Sequence, residues 1–182
     1  MRSTSSDAHN AAETGYGTFT LRMTVIAAAA VFTVVATATI AGAWGFELIG
    51  GLQPCPLCLQ QRWAYYAAIP LGLAAVAAAG RSASLPLARM LLGLAAAVMV
   101  AGAGLAVWHA GIEWGWWQGP AACSAADQLI GRDSVLPDLD RAQVVRCDEA
   151  AWRFAGLSLA GWNAVISLAL AAVAAAGALA RR

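Results

Sequence analysis

Gln53-Pro54-Cys55-Pro56-Leu57-Cys58-Leu59-Gln60-Gln61-Arg62-Trp63 sets two of the chain's four cysteines three residues apart, at the mouth of a long apolar run. Pro56 suits the first position of a helix, where its missing N–H has no intrahelical partner to lose. Cys58 then falls in the first turn, where unpaired backbone N–H groups and the positive end of the helix dipole favour a thiolate. Arg62, four residues on, lies on the same helical face as Cys58. A guanidinium just inside an apolar helix is costly unless it meets an anion, a polar ligand or water. The stretch has the makings of a redox pair with a cation beside it.

The other two cysteines, Cys123 and Cys147, fall within residues 111–155, a polar, net acidic segment. Four cysteines allow three pairings, and the sequence leaves the choice open. Structural disulfides are one reading for Cys123 and Cys147. They are a weak one for Cys55 and Cys58, because so small a loop gains little from closure. A four-thiolate zinc site would need closer spacing in the second pair, and c-type haem attachment would need His where Leu59 stands. Thiol–disulfide exchange asks for an accessible pair that receives thiols, a second pair beside an electron sink, and a loop that lets the sulfurs meet. Cys123 and Cys147 suit the first role, and Cys55 and Cys58 the second.

The elements that must position these residues belong to a membrane protein. Of 182 residues 60% are hydrophobic and only 12% charged, against about a quarter charged in a soluble domain. The net charge of +1, with no basic patch, speaks against nucleic acid. Stretches 23–46, 56–79, 87–110 and 156–180 are nearly free of charge, and each reaches the roughly 20 residues that cross a bilayer. The expected fold is an all-α bundle of four transmembrane helices with two non-cytoplasmic loops, the second being 111–155. Residues 1–22 are expected to be a disordered cytoplasmic tail. The first apolar run is longer than the 7–15 residues of a signal peptide's core, which favours an uncleaved span. Pro70 predicts a kink, Gly93, Gly102 and Gly104 permit close helix approach, and residues 124–130 suit a short helix.

Charge sets the orientation. The tail, the 80–89 connector and the C-terminus carry Arg2, Arg22, Arg81, Arg89, Arg181 and Arg182, opposed only by Asp7 and Glu13. Both termini are therefore expected in the cytoplasm, with both cysteine pairs on the far side, where disulfides persist. The eight tryptophans, from Trp44 to Trp162, all fall at that far end. Arg62 is a candidate ligand-binding residue, with a snorkelling interface arginine as the alternative. His109, at the end of the third span with Glu113 four residues on, and Glu47, at the end of the first, are secondary candidates.

Cys-Pro-Leu-Cys with Arg62 behind it, the four-span layout, and a distant cysteine pair in the second outer loop together resemble the DsbB family of disulfide-bond-forming membrane proteins. The runs His109 to Trp117 and Trp152 to Ser158 add to the likeness, which covers roughly residues 40–165. The resemblance implies a bacterial inner-membrane protein-disulfide oxidase. It would reoxidise a periplasmic DsbA-like thioredoxin-fold protein, with ubiquinone or menaquinone as acceptor. It also implies roles: Cys123 takes the partner's attack, Cys147 exchanges with Cys55, Cys58 donates to the quinone and Arg62 polarises it. The sequence departs from the pattern at Glu47, an acid where a neutral Gln is expected. Two other readings are a vitamin K epoxide reductase-like thiol enzyme and a membrane scaffold with structural disulfides. Against the former, the exposed pair follows the helix-mouth pair in the chain.

Overall fold

The computed structural model describes residues 4–81, 84–120, 123 and 146–181, with side chains from residue 15 onward. Within it run α1 (Thr4–Leu48), α2 (Pro56–Ala79), α3 (Leu85–Glu113), a two-stranded hairpin of β1 (Arg153–Phe154) and β2 (Leu157–Ser158), and α4 (Leu159–Leu179). The suggested short helix at 124–130 lies outside the described residues.

The first helix departs from expectation, because it begins at Thr4 where a disordered tail was expected. Residues 4–22 contain no proline, and they continue directly into an apolar helix whose nucleation cost is already met. Along α1 the threonines return their hydroxyls to the preceding turn, Thr33 to the Ala29 carbonyl at 2.7 Å and Thr37 to the Thr33 carbonyl at 2.8 Å. A polar side chain can therefore sit in an apolar helix without an unsatisfied donor.

α2 starts where the sequence places it, with Pro56 in its first turn and Cys55 as N-cap, whose Sγ accepts the backbone N–H of Cys58 at 3.1 Å. The helix continues through Pro70 to Ala79. α3 runs to Glu113, past the expected end at 110, so Glu113 belongs to a helix and not to the loop. α4 begins at Leu159 instead of 156. Ala155 and Gly156 have φ of 50° and 83°, a two-residue turn with both angles positive that pairs Arg153 with Ser158 and Phe154 with Leu157. Ser158 then caps α4 by accepting the Gly161 N–H at 3.1 Å.

The core is rich in alanine at helical spacing, with a few large side chains among them: Val25, Ala29, Phe32 and Ala36 on α1, Ala68 and Ala75 on α2, Ala88, Leu92, Ala95 and Met99 on α3, and Leu170, Ala171 and Ala174 on α4. Gly102 has no room for a Cβ, which would lie 2.8 Å from that of Ala64. Large apolar side chains face outward instead, among them Val31, Val34, Leu73, Met90, Leu94, Val100 and Leu168. Alanine and glycine at the helix contacts, with many large side chains turned outward, is how helices associate in lipid, where close packing replaces the hydrophobic effect. Among the described residues, α1 from Gly15, α3 and α4 are long and apolar enough to cross a membrane. α2 has 24 residues, about 36 Å of helix, but Gln60, Gln61 and Arg62 make its first turns polar.

Candidate active site

The four cysteines converge at one end of the bundle, where they part into a bonded pair and a free pair. Cys123 and Cys147 form a disulfide with Cα atoms 5.2 Å apart, while Cys55 and Cys58 are free. Cys55, Cys123 and Cys147 share a small apolar cluster with Leu57 and Ile112. The Sγ atoms of Cys55 and Cys147 and a ring nitrogen of His109 all lie within 4.8 Å of one another. The cap geometry of α2 explains this placement. Receiving the Cys58 N–H folds the Cys55 sulfur over the N-terminal end of the helix, where it lies close to Cys147 of the loop disulfide. A mutual hydrogen bond with Cys58, followed by burial, pushes the Cys55 thiol up from its ordinary value.

Cys58, packed beside the same cluster, also lines a cavity of about 460 Å³ with largely apolar walls. Ala43 and Phe46 of α1, Leu52 and Pro54 of the connector, Trp152 and Ile166 contribute to those walls. Polar groups enter at few points: Glu47, Gln61, Arg62, Tyr65, His109 and Asn163. Arg62 is buried, and its Nη1 donates to Glu47 Oε2 at 2.6 Å. Its Cζ lies 5.0 Å from the centre of the Trp44 ring, at cation–π distance. Glu47 is thus the anion that makes an arginine tolerable nearly two turns inside an apolar helix, which accounts for an acid at that position.

His109 stands between the sulfur cluster and the cavity. One ring nitrogen, Nε2, lies 3.6 Å from Cys55 Sγ and 3.9 Å from Glu113 Oε1, and the other, Nδ1, lies 2.8 Å from the Gln61 side-chain amide. Beyond Gln61 the bonds continue: Asn163 Nδ2 donates to Gln61 Oε1 at 2.6 Å, and Tyr65 Oη to Asn163 Oδ1 at 2.6 Å. Glu113 Oε2 is buried with no partner among the described residues.

A model of the family described as "Disulfide bond formation protein DsbB" matches residues 24–177. The chain belongs to the DsbB family. A disulfide bond formation protein B of Marinobacter nauticus is 34% identical over 131 residues, which cover 69% of this chain and 75% of that protein. One of Aromatoleum aromaticum is 31% identical over 155 residues, 80% of this chain and 89% of that protein. No solved structure matches the chain. As a DsbB family member with mostly helical structure and cysteines gathered at one end, the protein is a membrane-bound agent of disulfide bond formation.

The structure brings together all seven residues that the sequence singles out: Cys55, Cys58, Cys123, Cys147, Arg62, His109 and Glu47. Sequence reasoning missed Gln61, Tyr65, Asn163 and Ser167. A signal existed, because polar residues four apart inside membrane-length helices, Gln61 and Tyr65 on α2 and Asn163 and Ser167 on α4, are expensive unless they meet.

Proposed function

We propose that this protein is a quinone-dependent protein-disulfide oxidase of a bacterial inner membrane. It reoxidises a periplasmic thioredoxin-fold dithiol protein of the DsbA kind and passes the electrons to ubiquinone or menaquinone. All four helices then span the bilayer, with both termini cytoplasmic and the sulfurs periplasmic, an orientation that the arginine distribution supports. One observation carries the reading. Cys55 touches the loop disulfide at the α2 mouth, and its neighbour Cys58 also lines an apolar cavity.

Exchange along this line conserves atoms and electrons at every step. The partner's thiolate attacks Cys123; the Cys123–Cys147 bond breaks and its electron pair leaves on Cys147. The Cys147 thiolate attacks Cys55 of an oxidised Cys55–Cys58 pair, and Cys58 leaves as a thiolate. The partner's second thiol frees Cys123 and departs with its own disulfide made. Cys123 then attacks Cys147, remaking the loop disulfide and expelling Cys55 as the second thiolate. A loop disulfide beside two free helix-mouth cysteines is the end point of that sequence, and this is the arrangement described above.

The cavity suits a quinone head group: apolar walls for a ring, a few donors for carbonyl oxygens, and a volume within the range of small-molecule pockets. A quinone there supplies a two-electron, two-proton acceptor. Arg62 would hold one of its oxygens, with Glu47 keeping Arg62 in place, and His109 lines the same cavity. In purified protein, Cys58→Ser is expected to cut quinone reduction by a dithiol partner below detection while Cys123 still forms a mixed disulfide with that partner. A Cys58→Ser protein that reduces quinone at the wild-type rate would refute the electron path.

A further inference from the structure

The buried polar chain across α2, α3 and α4 has a direction. Tyr65 Oη donates to Asn163 Oδ1 and sits 3.2 Å from Ser167 Oγ. Asn163 Nδ2 donates to Gln61 Oε1. A primary amide has one carbonyl and one amino end. With its carbonyl taken by Asn163, Gln61 can offer His109 Nδ1 only an N–H, so Nδ1 must be the bare nitrogen. On the far side of the ring, a protonated Nε2 has Cys55 Sγ at 3.6 Å and Glu113 Oε1 at 3.9 Å to meet.

Resting on the function proposed above, we infer that Tyr65, Asn163 and Gln61 fix His109 in the tautomer with its proton on Nε2, and that this N–H is a hydrogen-bond donor held at the sulfur of Cys55. Gln61 and Asn163 are then positioning residues, acting on the sulfur through His109. The need is chemical. Cys55 is the sulfur expelled in the last exchange step, so negative charge develops on it there. When Cys123 attacks Cys147, the Cys55–Cys147 bond breaks and its electron pair goes to Cys55. The Nε2–H meets that charge, as does the Cys58 backbone N–H, and no proton has to leave the ring. A donor already in place costs no reorganisation at the moment the charge appears.

The chain has only two histidines, His9 and His109, so nitrogen NMR of the full-length protein with ¹⁵N-labelled histidine in lipid nanodiscs reads the ring directly, with His9→Ala giving the assignment. The expected wild-type spectrum has a protonated, pyrrole-type Nε2 and an imine-type Nδ1. Gln61→Glu, a change of nearly the same shape, sets a carboxylate against Nδ1 and should convert it to the protonated type. Asn163→Leu frees Gln61 to turn and should give a mixture of tautomers. In the absence of quinone, it should also slow reduction of the Cys55–Cys58 disulfide by dithiothreitol, followed by thiol trapping, roughly tenfold, the scale of one lost hydrogen bond to a charged group. A protonated Nδ1 in wild type, or one unmoved by Gln61→Glu, overturns the tautomer. A wild-type exchange rate in Asn163→Leu with an altered spectrum overturns the positioning role. The spectra need neither quinone nor partner, so this test is decided apart from the function itself.

Discussion

Arginines at the two ends of the bundle are held in opposite ways. At the sulfur end, Arg62 has a carboxylate on one guanidinium nitrogen and an indole ring nearby, and it lines an open cavity. At the other end, Arg22 and Arg89 close on main-chain carbonyls. Arg22 Nε donates to Ala79 at 2.8 Å and its Nη2 to Gly80, finishing α2, while Arg89 Nε donates to Ala178 at 2.8 Å, finishing α4. A carbonyl at a helix end lacks an intrahelical donor, so an arginine placed on it completes the helix and settles its own charge against the dipole. A guanidinium has five donors, and the Glu47 pair as described uses one of Arg62's. The same residue type thus serves as a fastener at one end and as a reserve of hydrogen bonds at the other.

The largest effect is expected where that reserve is removed. Arg62→Ala should lower quinone-dependent turnover about a hundredfold, the scale of losing one preorganised donor at a developing charge. It also strands Glu47, whose side chain is 25% exposed. The stability cost should therefore fall below that of breaking a fully buried pair, at about 2 kcal/mol by thermal unfolding in detergent. Removing both partners, in Arg62→Ala with Glu47→Ala, should recover most of the stability and none of the turnover. Recovered turnover in the double variant would make Arg62 a structural residue like Arg22.

Glu47→Gln sharpens the contrast by keeping the hydrogen bond and removing the charge. The guanidinium is then held less tightly and is freer to meet a quinone oxygen. The apparent KM for a short-chain quinone should fall a few-fold, with a stability loss of about 1 kcal/mol. A raised KM would mean that Glu47 aims Arg62 and does not restrain it.

How legible all this was in the sequence depends on distance along the chain. Cys55, Pro56, Cys58 and Arg62 lie within a few helical turns, so one helix start fixes their relation and the sequence displays it. The helix-mouth cap and the membrane-length runs were legible for the same reason. The Glu47–Arg62 pair was not, because it crosses from α1 to α2 and only the fold supplies the register. Gln61 and Asn163 stand 102 residues apart, and neither looks unusual until the other is beside it. The start of α4 was misplaced because Ala155-Gly156 continues an apolar run in composition while its positive φ angles turn the chain back. The helical 4–22 segment was missed because its composition is that of a tail, and composition does not register the helix it extends.

The smallest effect belongs to the fasteners. Arg89 is half-buried and lies at the end of the bundle remote from the sulfurs, so Arg89→Ala takes away one hydrogen bond to a carbonyl and part of a favourable charge–dipole contact. Together these are worth about 1 kcal/mol. The unfolding midpoint should fall by that amount, and quinone-dependent turnover should stay at the wild-type rate in the same preparation. Arg22→Gln should behave likewise, since a glutamine amide can still reach one of the two carbonyls at the end of α2. If either change slowed turnover without lowering stability, the two ends would be coupled through α2 or α4. The arginines beyond the sulfurs would then have to be counted among the residues that set the chemistry.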